Sequence, residues 1–164
     1  TAQLMRDFGS VPAPISSWIM GMHMESLGVR MERHCANALA VARWLDADSR
    51  ISWVSYPGLE GDKYHALAEK YMPNGTCGVI SFGVPGGREK VSAFLDHLKM
   101  VSIATHVADA RSCTLYPAGT THRQLTDEQL EEAGVGIGLV RLSCGIENAA
   151  DIIADLDQAL ASIQ

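Results

Sequence analysis

A long helical segment constrains the fold of this chain more than any other feature of its sequence. Apolar residues recur at steps of three and four from Met20 to Leu45, which predicts a helix over about residues 16–46. Its first half carries a second apolar set, formed by Ile15, Trp18, Ile19 and Met22. A helix that is apolar on two faces is buried on two sides. We therefore expect a further domain or a partner subunit to cover this segment.

The sequence predicts two parts of unequal size. Residues 1–15 contain Gly9, Pro12 and Pro14 and few periodic apolar residues, so we expect an irregular connector there. Residues 16–164 are expected to form the folded domain. The chain begins with threonine rather than methionine, so we expect it to start inside a longer product or after processing.

Short apolar strands alternate with amphipathic helices after the long helix, which predicts an α+β fold. The expected architecture is a long N-terminal helix followed by a small mixed or antiparallel sheet, with helices packed on one face. The expected strands cover residues 51–56, 78–82, 101–107, 112–116 and 139–144. The expected helix N-caps are Asp62, Thr126 with a capping box to Gln129, and Asn148.

Composition excludes several classes of function. The net charge of −6 and the isoelectric point near 5.4 argue against nucleic acid and anionic membranes as partners. The four cysteines form no C-x-x-C pair, and no signal peptide precedes them, so we expect reduced thiols and a cytoplasmic location. The six histidines lack metal-ligand spacing, so no metal site is expected.

An arginine within an apolar strand is the strongest candidate for a binding residue. Arg141 lies between Val140 and Leu142, where burial is costly unless a carboxylate pairs with the guanidinium. The planar fork of arginine suits a carboxylate that arrives with a ligand. An internal pair with Asp or Glu, or an edge arginine that faces water, would also explain the residue, and the sequence leaves these alternatives open.

Five stretches of the chain, in order, resemble the Cys/Met-metabolism enzymes that use pyridoxal phosphate. The most specific are MPNGTCGVISFGVPGG and VRLSCGIE. The run from Thr120 to Leu125 is most similar to the O-acetylhomoserine sulfhydrylase branch of that family. The five stretches are residues 27–34, 56–61 with 64–68, 72–87, 109–124 and 140–147.

The resemblance implies that the chain is the C-terminal small domain of a fold-type I enzyme, which is usually a homotetramer. Residues 1–15 would then connect it to a missing cofactor-binding domain. Arg141 matches the arginine that binds the α-carboxylate of the substrate. His106 lies where relatives use Ser or Asn to help hold that carboxylate, and Thr105 lies at a position that lines the side-chain pocket. The implied activity is a transferase of methionine and homocysteine biosynthesis, which replaces the acetate of O-acetylhomoserine with sulfide or a thiol.

The same resemblance implies that pyridoxal phosphate is bound by upstream residues. No catalytic or cofactor-binding residue is expected within this chain, which supplies only the substrate-binding residues, and we expect the chain alone to be inactive. The sequence departs from the family pattern at Gly83, Ala108, Tyr116 and Gly119. A cystathionine or methionine γ-lyase or γ-synthase branch, and a stand-alone regulatory module whose Arg141 binds an amino acid, are the alternative interpretations.

Overall fold

The computed structural model describes residues 2–163, which divide into two units, Thr1–Arg30 and Met31–Gln164. The outermost residues of the two predicted parts, Thr1 and Gln164, lie outside the described residues. The helices are α1 (Ala2–Phe8), α2 (Pro14–Glu25), α3 (Leu27–Ala47), α4 (His65–Tyr71), α5 (Gly87–Asp96), α6 (Asp127–Glu132) and α7 (Ala149–Ala161). The strands are β1 (Trp53–Ser55), β2 (Val79–Gly83), β3 (Ser102–Ile103), β4 (Cys113–Leu115) and β5 (Leu139–Ser143).

The first unit is more helical than the sequence predicted. The prediction of an irregular connector is wrong for Ala2–Phe8, which forms α1. The single long helix is divided at Ser26 into α2 and α3. At the division, Arg30 donates hydrogen bonds to the His23 carbonyl oxygen at 2.6 Å and to the Ser26 hydroxyl at 3.3 Å. These bonds occupy polar groups near the end of α2, where the helical ladder stops.

The apolar residues of α2 are exposed in the chain. None of its side chains is buried, and Trp18 is 61% exposed. Isolated exposed apolar residues are normal, but a cluster on one helix marks a surface that associates with other protein. The apolar residues of α2 that exceed 45% exposure are Ile15, Trp18, Ile19, Met20, Met22 and Met24.

The second unit is built on a five-stranded mixed sheet of order β1-β2-β5-β4-β3. Its neighbouring strands are antiparallel except β3 and β4, which are parallel. This confirms the predicted fold class. The strand predicted over residues 101–107 is wrong beyond Ile103, because the chain leaves the sheet there and runs on as a loop to β4.

The sheet has a helix-covered face and an outer face. Ile80 and Phe82 of β2 and Val140 and Leu142 of β5 are fully buried in one apolar core. Buried apolar side chains of helices α3, α5 and α7 complete that core. The alternate strand residues lie on the outer face because successive side chains of a strand point to opposite sides. Among these, Ser81 and Arg141 are half-buried.

The sequence predicts that α4 buries Tyr64, Leu67, Ala68 and Tyr71, and this prediction is wrong. Only Ala68 of this helix is buried, whereas Leu67 and Tyr71 are 52% and 69% exposed. Asp62 does not cap the helix, since Tyr64 occupies the N-cap position. The Asp62 carboxylate instead accepts hydrogen bonds from the backbone N–H groups of Tyr56 and Tyr64 and so closes the turn before α4.

The two other predicted caps are confirmed. The hydroxyl of Thr126 accepts from the Gln129 N–H, and the Gln129 side chain accepts from the Thr126 N–H, which completes a capping box. The Asn148 side chain accepts from the Ala150 N–H at the start of α7. These local signals succeed because donor and acceptor lie within a few residues of each other.

A buried carboxylate joins α7 to the start of β3. Asp155, which is 6% exposed, accepts backbone hydrogen bonds from Lys99, Met100 and Val101 at 2.8–2.9 Å. Burial alone raises the pKa of Asp155, but these three bonds outweigh burial and lower the pKa below its ordinary value. The interaction therefore stabilises the fold while the carboxylate is ionised.

Asp155→Asn should destabilise the protein by about 1–3 kcal/mol at neutral pH, because one acceptor oxygen is replaced by a donor that faces backbone N–H groups. Urea unfolding measures this difference. Because the folded-state pKa of Asp155 is lowered, its stabilisation is present above the ordinary Asp pKa and is lost as pH falls through the folded-state value. The gap between the two proteins should narrow in acid, and a gap that is constant with pH would contradict this assignment.

Candidate functional site

Arg141 lies in the middle strand of the sheet, on the outer face. Its backbone pairs with Ser81 of β2 on one side and with Leu115 of β4 on the other. The Thr114 hydroxyl also donates to the Arg141 carbonyl oxygen at 3.2 Å. Pairing on both sides excludes the alternative in which Arg141 belongs to an edge strand.

The guanidinium of Arg141 is largely uncommitted. One Nη2–H group donates to the carbonyl oxygen of Thr105 at 2.9 Å. Among the described residues no Asp or Glu forms an ion pair with Arg141, so an internal pair does not explain it. An arginine carries five N–H donors, so most of its fork is free to bind a planar anion.

Thr105 and His106 lie beside Arg141 in the loop that follows β3. Both side chains are exposed, and neither forms a hydrogen bond with another described residue. The Thr105 carbonyl contacts Arg141 directly, and His106 is the next residue of the loop, so the structure brings the three predicted site residues close together. The adjoining Ala108 has a φ of 59°, the one non-glycine residue in residues 2–163 with a positive φ.

The segment after β5 is held by polar side chains of α3. The His34 Nδ1–H donates to the Cys144 carbonyl oxygen at 2.6 Å, and the Asn37 amide donates to the Gly145 and Glu147 carbonyl oxygens. His34 and Asn37 are almost fully buried. The sequence-based reasoning missed their role, although a polar Asn37 within the apolar stripe of a helix was a usable signal.

Glu147 connects this segment to β4. Its carboxylate accepts from the Ser112 N–H at 2.6 Å and from the Ser112 hydroxyl at 2.9 Å. The same hydroxyl accepts from the Gly145 N–H at 2.8 Å. These bonds fix the start of β4 and the end of β5 relative to each other, and the sequence-based reasoning had assigned no role to Glu147.

The cysteine that follows Arg141 in sequence is not a nucleophile. Cys144 is fully buried, and burial, with a smaller effect of the Glu147 carboxylate, raises the pKa of its thiol to about 12. A reactive cysteine requires a lowered thiol pKa and access to solvent. Cys144 is therefore a packing residue.

A cavity lies elsewhere in the second unit. It has a volume of about 490 Å³ and is formed by α3, α4 and the neighbouring loops, with Leu39 and Met72 among its lining residues. None of the lining residues is Thr105, His106 or Arg141. The site at Arg141 is thus separate from this cavity. Among residues 2–163, no cluster of His, Cys, Asp or Glu is suited to a metal ion, and no helix has the length and apolarity needed to cross a membrane.

Comparison with known proteins places the chain in one enzyme family. The family model of the Cys/Met metabolism PLP-dependent enzymes matches residues 1–161. The chain belongs to this family. An O-acetyl-L-homoserine sulfhydrylase from Leptospira meyeri is 44% identical to it over 162 residues. A homocysteine synthase from Schizosaccharomyces pombe is 44% identical over 158 residues.

A solved structure shows the same fold. A chain described as an O-acetylhomoserine (thiol)-lyase from Campylobacter jejuni superposes with a TM-score of 0.87 at 38% identity, over 96% of this chain. That crystal structure contains N′-pyridoxyl-lysine-5′-monophosphate, the cofactor attached to a lysine. Nearly the whole of this chain is aligned in each of the three matches. It spans about 37% of the length of that structure, of the sulfhydrylase and of the homocysteine synthase.

The described residues do not by themselves fit pyridoxal phosphate. The chain has four lysines, and all are exposed on segments other than the outer face. None lies in the loop of Thr105 and His106 or in the strand of Arg141. The four lysines are Lys63, Lys70, Lys90 and Lys99. No lysine of the chain is therefore available on the face of Arg141 to hold the cofactor.

Ala108→Gly should stabilise the protein by up to about 1 kcal/mol, because the left-handed conformation penalises a Cβ atom and glycine avoids that penalty. Thermal or urea unfolding measures the change. Ala110→Gly, two residues away with a negative φ, is the matched control and should destabilise by about 0.5–1 kcal/mol through unfolded-state entropy. Equal destabilisation by both substitutions would show that Ala108 is unstrained.

Proposed function

We propose that this chain is the substrate-carboxylate-binding domain of an enzyme that replaces the acetate of O-acetyl-L-homoserine with sulfide or a thiol. The observation that carries the proposal is the uncommitted guanidinium of Arg141 on the outer face of the sheet. The relatives support the substrate, since the Leptospira meyeri protein is an O-acetyl-L-homoserine sulfhydrylase. In this proposal residues 1–15 lead in from an upstream cofactor-binding domain and residues 16–164 form the carboxylate-binding domain.

The residues of this chain bind and orient the substrate. Arg141 holds the α-carboxylate through a pair of N–H groups, which fixes the direction of the bonds at Cα. His106 supplies a further donor to the same carboxylate, and Thr105 contacts the substrate side chain. Pyridoxal phosphate, when bound by the upstream domain, supplies the stabilisation of carbanions that the reaction requires. Fixing the carboxylate lowers the entropic cost of reaching the reactive geometry.

The exposed apolar residues of α2 support association with other protein. We propose that the upstream domain and further copies of the chain, in a homotetramer, cover the surface around Trp18 and Ile19. All four cysteines are free, which supports a cytoplasmic protein.

The alternative functions are less well supported. A γ-lyase would use the same carboxylate site, but relatives from Leptospira, Schizosaccharomyces and Thermus carry the names of sulfhydrylases and homocysteine synthases. Product analysis separates the two, because a lyase releases a keto acid and a sulfhydrylase does not. A stand-alone regulatory module would not expose an apolar helix such as α2, so the exposed Trp18 disfavours it.

Arg141→Ala in the complete enzyme should raise the KM for O-acetyl-L-homoserine by about 100-fold, because two charge-assisted hydrogen bonds to the carboxylate are lost. Arg141→Lys should also raise KM by about 10-fold or more, because a point charge does not replace the bidentate fork. Steady-state kinetics with varied O-acetyl-L-homoserine measure both values.

Arg43→Ala provides the control for these two substitutions. Arg43 is an exposed arginine of α3, so its loss changes the net charge equally but should leave KM within about 2-fold. An Arg141→Ala enzyme with unchanged KM would remove Arg141 from the substrate site.

The isolated chain should not bind pyridoxal phosphate stoichiometrically, because its four lysines are exposed and lie apart from Arg141. Mass spectrometry after borohydride reduction measures the covalent adduct, and lysine-free carrier protein sets the background. The complete enzyme, treated in the same way, should gain one cofactor per chain. A single specific adduct on the isolated chain would contradict the assignment of the cofactor site to upstream residues.

A further inference from the structure

The loop that carries Thr105 and His106 is attached to the sheet at three points. Arg141 donates to the Thr105 carbonyl oxygen at 2.9 Å. The Cys113 thiol lies 3.3 Å from the His106 carbonyl oxygen, and the Ser143 hydroxyl accepts from the Ala108 N–H at 3.1 Å. Three consecutive parts of the loop therefore have their backbone polar groups bound by side chains of β4 and β5.

The register of the sheet places these side chains on the outer face together. Ser143 and Arg141 are two residues apart on β5, so their side chains point to the same side. Cys113 of β4 pairs directly with Ser143. Arg141, which is assigned to the substrate, and Ser143, whose hydroxyl binds the loop, thus form adjacent parts of one surface.

The bond to Ser143 lies at the strained residue of the loop. Ala108 has a φ of 59°, a conformation that costs about 1 kcal/mol or more for a residue with a Cβ atom. Such a conformation persists only where the surroundings hold it. Ser143 is 1% exposed, so its hydroxyl is fixed within the packed sheet where it accepts from the Ala108 N–H.

We propose that Ser143 is a positioning residue for the carboxylate site, and that Cys113 reinforces it. By accepting the Ala108 N–H, Ser143 fixes the left-handed turn that directs His106 towards the carboxylate held by Arg141. The Cys113 thiol donates to the His106 carbonyl and limits rotation of the same backbone. This inference rests on the proposed function, because it requires a carboxylate at Arg141.

Loss of Ser143 should weaken substrate binding without changing the chemical step. The guanidinium of Arg141 remains in place in the variant, while the loop with His106 samples more conformations. An interaction made equally in the ground state and the transition state alters KM and leaves kcat unchanged. A general loss of folded protein would instead lower the apparent kcat and leave KM unchanged.

The test uses the complete, cofactor-loaded enzyme with O-acetyl-L-homoserine as the varied substrate. Ser143→Ala should raise KM about 3- to 10-fold, as expected for one lost hydrogen bond, with kcat within about 2-fold. Ser143→Thr keeps the hydroxyl and should restore KM to near the original value. Hydrogen exchange should speed up in the peptide that spans residues 104–110 in Ser143→Ala and not in Ser143→Thr.

Ser52→Ala is the matched control. The Ser52 hydroxyl donates to the Gly83 carbonyl oxygen at 3.0 Å beside β1, at the opposite edge of the same sheet. Its loss removes a comparable hydrogen bond far from the loop. KM and exchange at residues 104–110 should both stay unchanged.

The possible outcomes separate this proposal from the proposed function. If Arg141→Ala raises KM but Ser143→Ala leaves it within about 2-fold, the positioning role is wrong and the function stands. If neither substitution alters KM, the proposed function itself fails. Should Ser143→Ala not fold, Cys113→Ala decides, since it should raise KM about 2- to 3-fold and an unchanged KM would overturn the proposal.

Discussion

The register of β5 is the constraint on which the site depends. Val140 and Leu142 are fully buried in the core, and Arg141 between them therefore faces the other way. A shift by one residue would bury the guanidinium and expose both apolar side chains, which is prohibitively costly. Pairing with β2 and β4 on either side excludes such a shift. The apolar core thereby determines where the only site arginine on this strand points.

Two carboxylates, the buried Asp155 and the half-buried Glu147, hold the ends of the segment that contains β3 and the loop before β4. Asp155 binds the backbone of residues 99–101 before β3, and Glu147 binds Ser112 at the start of β4. Between these fixed ends, the loop from Thr105 to Ala108 is exposed and meets the sheet through side chains. Functional loops commonly combine such rigid ends with an accessible middle. The arrangement fixes both ends of the loop and leaves Thr105 and His106 exposed.

Sequence reasoning succeeded where the interaction is local and failed where it is not. The capping box of Thr126, the cap of Asn148 and the strand around Arg141 follow from residues that are neighbours in sequence. The attachment of Ala108 to Ser143 joins residues 35 positions apart, and the bond of Asn37 to Gly145 spans 108 positions. Periodicity also identifies an apolar stripe on a helix but does not show which element packs against it. Tyr71 of α4 was therefore wrongly predicted to be buried.

In the proposed function, a substrate carboxylate binds the N–H donors of Arg141 that the protein leaves uncommitted. The most direct test is a crystal structure of the complete enzyme with bound O-acetyl-L-homoserine. The account predicts both carboxylate oxygens within about 3 Å of the Arg141 guanidinium, with His106 beside them. A carboxylate bound elsewhere, with Arg141 paired to an Asp or Glu of the protein, would contradict it.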